Sequence, residues 1–168
     1  MNSQDNQKQA VLLAYLAGII DGEGTVGIVR TKPNQRTAQI NYRHYAYMSL
    51  GMVEKQIPDL LKEVFGGCVN EERVHGMRSV WRWHKTGRDD LIRLLNDLLP
   101  YLRIKRPQAE LVIDFCKGWE DTRIRANGVL AHELQRREDF WLKAKKLNAV
   151  GAAATTNRGD TREGKVIV

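Results

Sequence analysis

The chain has 168 residues and a formal charge of +7, with pI ≈ 9.6. This length fits one domain with a real hydrophobic core, and the basic balance points to nucleic acid or another polyanion. Two cysteines, Cys68 and Cys116, match no zinc or redox spacing, and no signal peptide or membrane span is visible. A disulfide scaffold and a membrane partner are therefore excluded, and a reducing intracellular setting is expected, the cytoplasm of a prokaryote or an organelle.

A polar leader, Met1 to Gln9, precedes a nearly continuous apolar run from Ala10 to Ile20. The run is too short to span a bilayer and reads as a core or interface helix. Ala14, Gly18 and Gly22 fall at i, i+4 and i+8, a strip almost without side chains that lets a second helix come close. Gly22 is expected to end the helix in the left-handed conformation, with Glu23 emerging at its foot. A mirrored copy would bring a second Glu23 nearby, and paired carboxylates call for a cation, so the arrangement suggests a metal site. Asp21-Gly22-Glu23-Gly24 also reads as an ordinary turn after a glycine-rich C-cap.

Thr25 to Lys32 reads as a strand, with a turn at Pro33-Asn34-Gln35. Gln39 to Leu50 alternates, with Tyr42, His44, Ala46, Met48 and Leu50 on one face and Asn41, Arg43, Tyr45, Tyr47 and Ser49 on the other. Leu50 to Phe65 takes helical spacing and Gly66-Gly67 ends it. A hairpin, Cys68 to Arg73 and Met77 to Lys85, turns at His75-Gly76, with Trp81 and Trp83 inward. Helices follow at about Asp89–Leu99, from Pro107 to about Trp119, and at about Val129–Leu147. One domain is expected over 10–148, with a flexible tail at 149–168. The class is α+β, an antiparallel four-stranded sheet in the order αββαββα with C-terminal helices.

The outward strand positions and their flanks carry long donors and aromatics: Arg30, Lys32, Asn34, Asn41, Arg43, Tyr45, Tyr47, Asn70, Arg78, Arg82 and His84. Such a face fits the major groove of double-stranded DNA, where Arg reads guanine and Asn reads adenine. A solvated antiparallel face would also alternate polar outward. His44 and His132 have no partner at metal spacing and read as packing or surface residues.

Leu16-Ala17-Gly18-Ile19-Ile20-Asp21-Gly22-Glu23-Gly24 resembles the motif of the LAGLIDADG homing endonucleases. Pro100 to Ala109 looks like the segment after the second strand pair in single-motif members, where a lysine beside the cleavage centre corresponds to Lys105. The resemblance runs from about Val11 to Ala109. It implies the LAGLIDADG homing-endonuclease-like fold and a homodimer through Ala14, Gly18, Asp21 and Gly22. It also implies Mg²⁺- (or Mn²⁺-) dependent hydrolysis of DNA at a long pseudo-palindromic site, as in intron homing. Glu23 and the Gly22 carbonyl would hold the metal, and Lys105 would assist the chemistry. An intron-splicing maturase or a non-cleaving DNA-binding regulator on the same fold is the alternative. Three positions depart from the pattern. Glu23 stands where aspartate is commoner, and Leu50 and Glu54 stand where a glutamine and an arginine help order water. Ser49 or Lys55 would have to substitute.

Overall fold

Apolar residues at every second position along β1 and β2 decide which side of the sheet is covered. The computed structural model describes residues 3–32, 42–73, 76, 78–119 and 130–153. Its elements are α1 (Ser3–Glu23), β1 (Gly24–Thr31), β2 (Arg43–Met52), α2 (Gln56–Phe65), β3 (Cys68–Glu72), β4 (Val80–Thr86), α3 (Arg88–Leu98), α4 (Arg106–Lys117) and α5 (Ala131–Ala153). The strands form one antiparallel sheet of four, in the order β1-β2-β4-β3.

Register aligns Val26 with Met48, Ile28 with Ala46, and Leu50 with Trp83. All six are buried, together with Leu16 and Ile20 of α1, Leu91, Leu95 and Leu98 of α3, and Val112 and Phe115 of α4. Helices thus cover one face of the sheet and leave the other polar. Trp83 is wholly buried and its indole N–H donates to the Gly66 carbonyl at 2.8 Å, so its one polar atom is satisfied. No helix among the described residues is long and apolar enough to cross a membrane.

Several boundaries differ from the sequence expectation. The polar leader is helical from Ser3 onward. Gln and Lys are good helix formers and extend a helix already nucleated by the packed segment behind them. The helix does not end at Gly22 but continues through Glu23. The glycine required by the turn into β1 is Gly24, where a Cβ would lie 2.8 Å from the Ile20 carbonyl oxygen. The helix expected from Leu50 begins only at Gln56, because β2 continues to Met52. Leu50 and Met52 are held in the ladder by Trp83 and Trp81. The expected tail starts inside α5, which runs to Ala153. Gly76 keeps the positive φ of a turn, 79°, whereas Pro33, Asn34, Gln35, Asn41 and His75 lie outside the described residues.

Candidate active site

The last carbonyls of a helix have no N–H four residues ahead to accept from. At the end of α1, the Lys105 ammonium donates to the Asp21 carbonyl at 2.5 Å. The Asp21 carboxylate accepts the backbone N–H of Arg103 at 2.7 Å and that of Lys105 at 2.8 Å. Asp21 is buried. Expected at a dimer interface, it instead turns inward to its own chain, because a buried carboxylate needs donors and the segment before α4 supplies two. Burial pushes the Lys105 ammonium below the usual lysine value, while the charges of Asp21 and Glu23 pull it back up. Glu23 is exposed, and no hydrogen bond or salt bridge ties it down among the described residues.

Among the described residues no three His, Cys, Asp or Glu side chains gather as a complete metal site. The foot of α1 offers the exposed Glu23 carboxylate and the carbonyl of Gly22, one residue before it. Both are hard oxygen donors of the kind Mg²⁺ and Mn²⁺ take, but too few to complete a shell of about six. The donor set fits a divalent cation that keeps water in the rest of its shell.

Ala14, Gly18 and Gly22 are all exposed on α1. A Cβ built on Gly18 or Gly22 meets nothing within 4 Å, so the protomer's own packing does not require glycine at either position. Val11 and Tyr15, 65% and 53% exposed, extend the same open side.

On the sheet, register puts Arg43, Tyr45, Tyr47 and Ser49 of β2 on the uncovered face with Arg82 and His84 of β4 and Asn70 of β3. Arg78 is exposed just before β4. Arg82 already pairs with Glu72 of β3 at 2.6 Å, and burial raises the Tyr47 phenol above its usual value. Arg30 does not belong to this face. It lies in register with His44 on the helix side, pairs there with Glu138 of α5 and stacks over Trp141 at 3.9 Å. Lys32 is exposed one residue beyond β1. Asn34 and Asn41 lie outside the described residues.

Of the two residues weighed as substitutes for the departures, Ser49 sits on the polar face opposite Thr25 and His84. Lys55 instead lies over the Trp81 ring and pairs with Asp59. Leu50 is in the core and Glu54 is exposed beyond β2. Sequence reading missed Asn148, whose amide donates to the Val26 carbonyl at 3.4 Å and lies 3.1 Å from where a Gly27 Cβ would be, beside Tyr47. Nothing local in the sequence marks it.

No family model matches the chain. It is 29% identical over 118 residues to DNA endonuclease I-CreI of Chlamydomonas reinhardtii, a match covering 67% of this chain and 65% of that protein. The match therefore spans just under two thirds of that relative's length. The homing endonuclease I-CvuI, solved in complex with its target in 2 mM Ca, superposes with a TM-score of 0.64 at 20% identity, over 93% of this chain and 88% of that one. The archaeal intron-encoded homing endonuclease I-Vdi141I, complexed with DNA, gives 0.63 at 14% identity, over 92% and 89%. The LAGLIDADG homing endonuclease I-GzeII, in complex with its DNA target, gives 0.62 at 15%, over 92% and 54%. The fold is that of the LAGLIDADG homing endonucleases. The stretch from Leu16 to Gly24 that resembles the motif closes α1 and opens β1, and the four strands form the polar face described above.

Proposed function

We propose that this protein is a site-specific, metal-dependent double-strand DNA endonuclease of the intron-homing type, acting as a homodimer. The observation that carries the reading is Glu23, an uncommitted acid at the exposed end of α1, with Lys105 fixed to the preceding turn. The likeness to a named DNA endonuclease and to homing endonucleases bound to DNA supports it.

Two copies would pair α1 against α1 across Ala14, Gly18 and Gly22, an isologous contact of small residues that brings both Glu23 carboxylates to the axis. Glu23 and the Gly22 carbonyl of each copy would hold Mg²⁺ or Mn²⁺. Such an ion, when bound, activates water and neutralises charge on the leaving oxygen. Lys105 offers a preplaced cation to the phosphate as its charge builds. The polar strand face would track the major groove of a long pseudo-palindromic site, with Arg43, Arg82 and Asn70 reaching base edges. The basic surplus supplies sequence-independent affinity that weakens as salt rises. Exposed, unpaired Cys68 suits the reducing interior of a prokaryote or an organelle.

A splicing maturase or a non-cleaving regulator would not need an acid and a lysine arranged in this way, and neither reading is favoured. Plasmid carrying the intron-less host gene should be cut in Mg²⁺ and left intact in EDTA. Glu23→Gln should fold, bind and fail to cut. Efficient cleavage by that variant would overturn the assignment of Glu23.

A further inference from the structure

Lysine is a flexible side chain, and a catalytic cation must be held still relative to the groups it serves. Lys105 occupies the N-cap position of α4, on a segment whose own conformation is irregular. Three contacts tie it to the end of α1. One oxygen of the Asp21 carboxylate receives the N–H of Lys105 itself. The other oxygen receives the N–H of Arg103, two residues earlier. The Lys105 ammonium then closes back onto the Asp21 carbonyl. The carboxylate thus holds the backbone on both sides of Ile104, and the side chain returns to the same residue.

We propose that Asp21 is the positioning residue of this site: its carboxylate locks the segment from Arg103 to Lys105 onto the foot of α1, so that the Lys105 ammonium is held in place at the end of the helix that carries Glu23. The catalytic consequence rests on the endonuclease reading; the lock itself does not. The geometry explains why an acid, rather than an amide of the same shape, suits this position. Both carboxylate oxygens accept an N–H, and both bonds are strengthened by the negative charge. Asparagine would offer one acceptor and point its NH₂ at the other N–H. Glutamate would keep the charge but displace both acceptors by a methylene.

The test uses the full chain with Asp21→Asn, Asp21→Glu and Lys105→Met. Lys105 labelling by reductive methylation, read by peptide mass spectrometry with exposed Lys145 as internal reference, should be slow in the wild type and several-fold faster in both Asp21 variants. Unchanged labelling would overturn the lock. Single-turnover cleavage by Asp21→Asn should fall roughly tenfold or more, while DNA affinity in Ca²⁺ stays within about twofold. In the Lys105→Met background the same substitution should cost nothing further, as residues acting through one another are non-additive. A full additional loss there would make Asp21 merely structural. If the wild type cuts no DNA, the endonuclease reading fails and the labelling still reports on the lock. If neither Asp21 variant folds, the wild-type amides of Arg103 and Lys105 must still exchange more slowly than that of Ile104. Rapid exchange at both would refute the proposal.

Discussion

Arg30 and His44 sit opposite each other on β1 and β2 and share one carboxylate, that of Glu138 on α5. The His44 ring nitrogen Nε2 is 2.9 Å from a Glu138 oxygen, and the imidazole is fully buried. Arg30 takes the other oxygen and lies between the rings of Trp141 and Tyr42. This cluster fastens α5 to the edge of the sheet. Among charged groups, the imidazole also has Arg137 as a neighbour.

That arrangement makes stability depend on pH. Burial, first, and the nearby Arg137 and Arg30 hold His44 below its ordinary value of 6.5, although Glu138 pulls it upward. The unfolded chain therefore binds the proton more readily, and stability falls as pH drops below 6.5, towards the folded-state value. Urea denaturation between pH 7.5 and 5 should show this decline, and His44→Gln should flatten it. An equal slope in the variant would assign the decline to other groups.

The same cluster shows what could be read from the sequence and what could not. Alternation along β1 and β2 is strong enough to identify both faces, because Val26, Ile28, Ala46 and Met48 have no other place to go. Arg30, a long donor expected on the polar face, follows the strict alternation of Val26 and Ile28 and lies on the covered side. Its acid lies 108 residues away, and nothing near either residue announces the pairing. Asp21 repeats the lesson. Its donors are 82 and 84 residues distant, so nothing in the motif itself announces that its carboxylate holds another segment of its own chain. Strand β2 outruns its expected end for a related reason, since cross-strand partners Trp81 and Trp83 override local helical spacing.

Gly18→Leu should separate two copies without harming one. A Cβ at Gly18 meets nothing within 4 Å in the protomer, and leucine is a better helix former than glycine by up to about 1 kcal/mol. The variant should melt no lower as a monomer, yet sediment as a monomer where the wild type sediments as a dimer. A wild-type monomer at micromolar concentration with full cutting activity would remove the paired-helix reading.

Base preference should separate Arg43 from Arg30. Arg43 is exposed on the polar face, and its replacement by alanine should relax preference at one position per half-site, at a loss of about 1–3 kcal/mol if the contact is bidentate. Arg30→Ala should lower stability and leave base preference alone, because its guanidinium is spent on Glu138 and two rings. Arg82→Ala should have a smaller effect on affinity than Arg43→Ala, since Arg82 must first leave Glu72. Selection from randomised sites would expose the opposite pattern directly.

Lys105→Met should separate chemistry from binding. A cation that engages a phosphate only as charge develops lowers the barrier and adds little to ground-state affinity. Single-turnover cutting should fall strongly, while affinity measured in Ca²⁺ declines only modestly. There is a second cost. The ammonium also satisfies the Asp21 carbonyl, and losing a charged hydrogen bond at a half-buried site should lower stability by about 1–2 kcal/mol. The assay must therefore be run well below the melting temperature of the variant, with folding confirmed by circular dichroism. With Leu50 in the core and Lys55 committed to Trp81 and Asp59, Lys105 is the cation whose ammonium is hydrogen-bonded to the end of α1. Should affinity drop as far as the rate, Lys105 acts as one more phosphate contact and the cleavage centre lacks a dedicated cation.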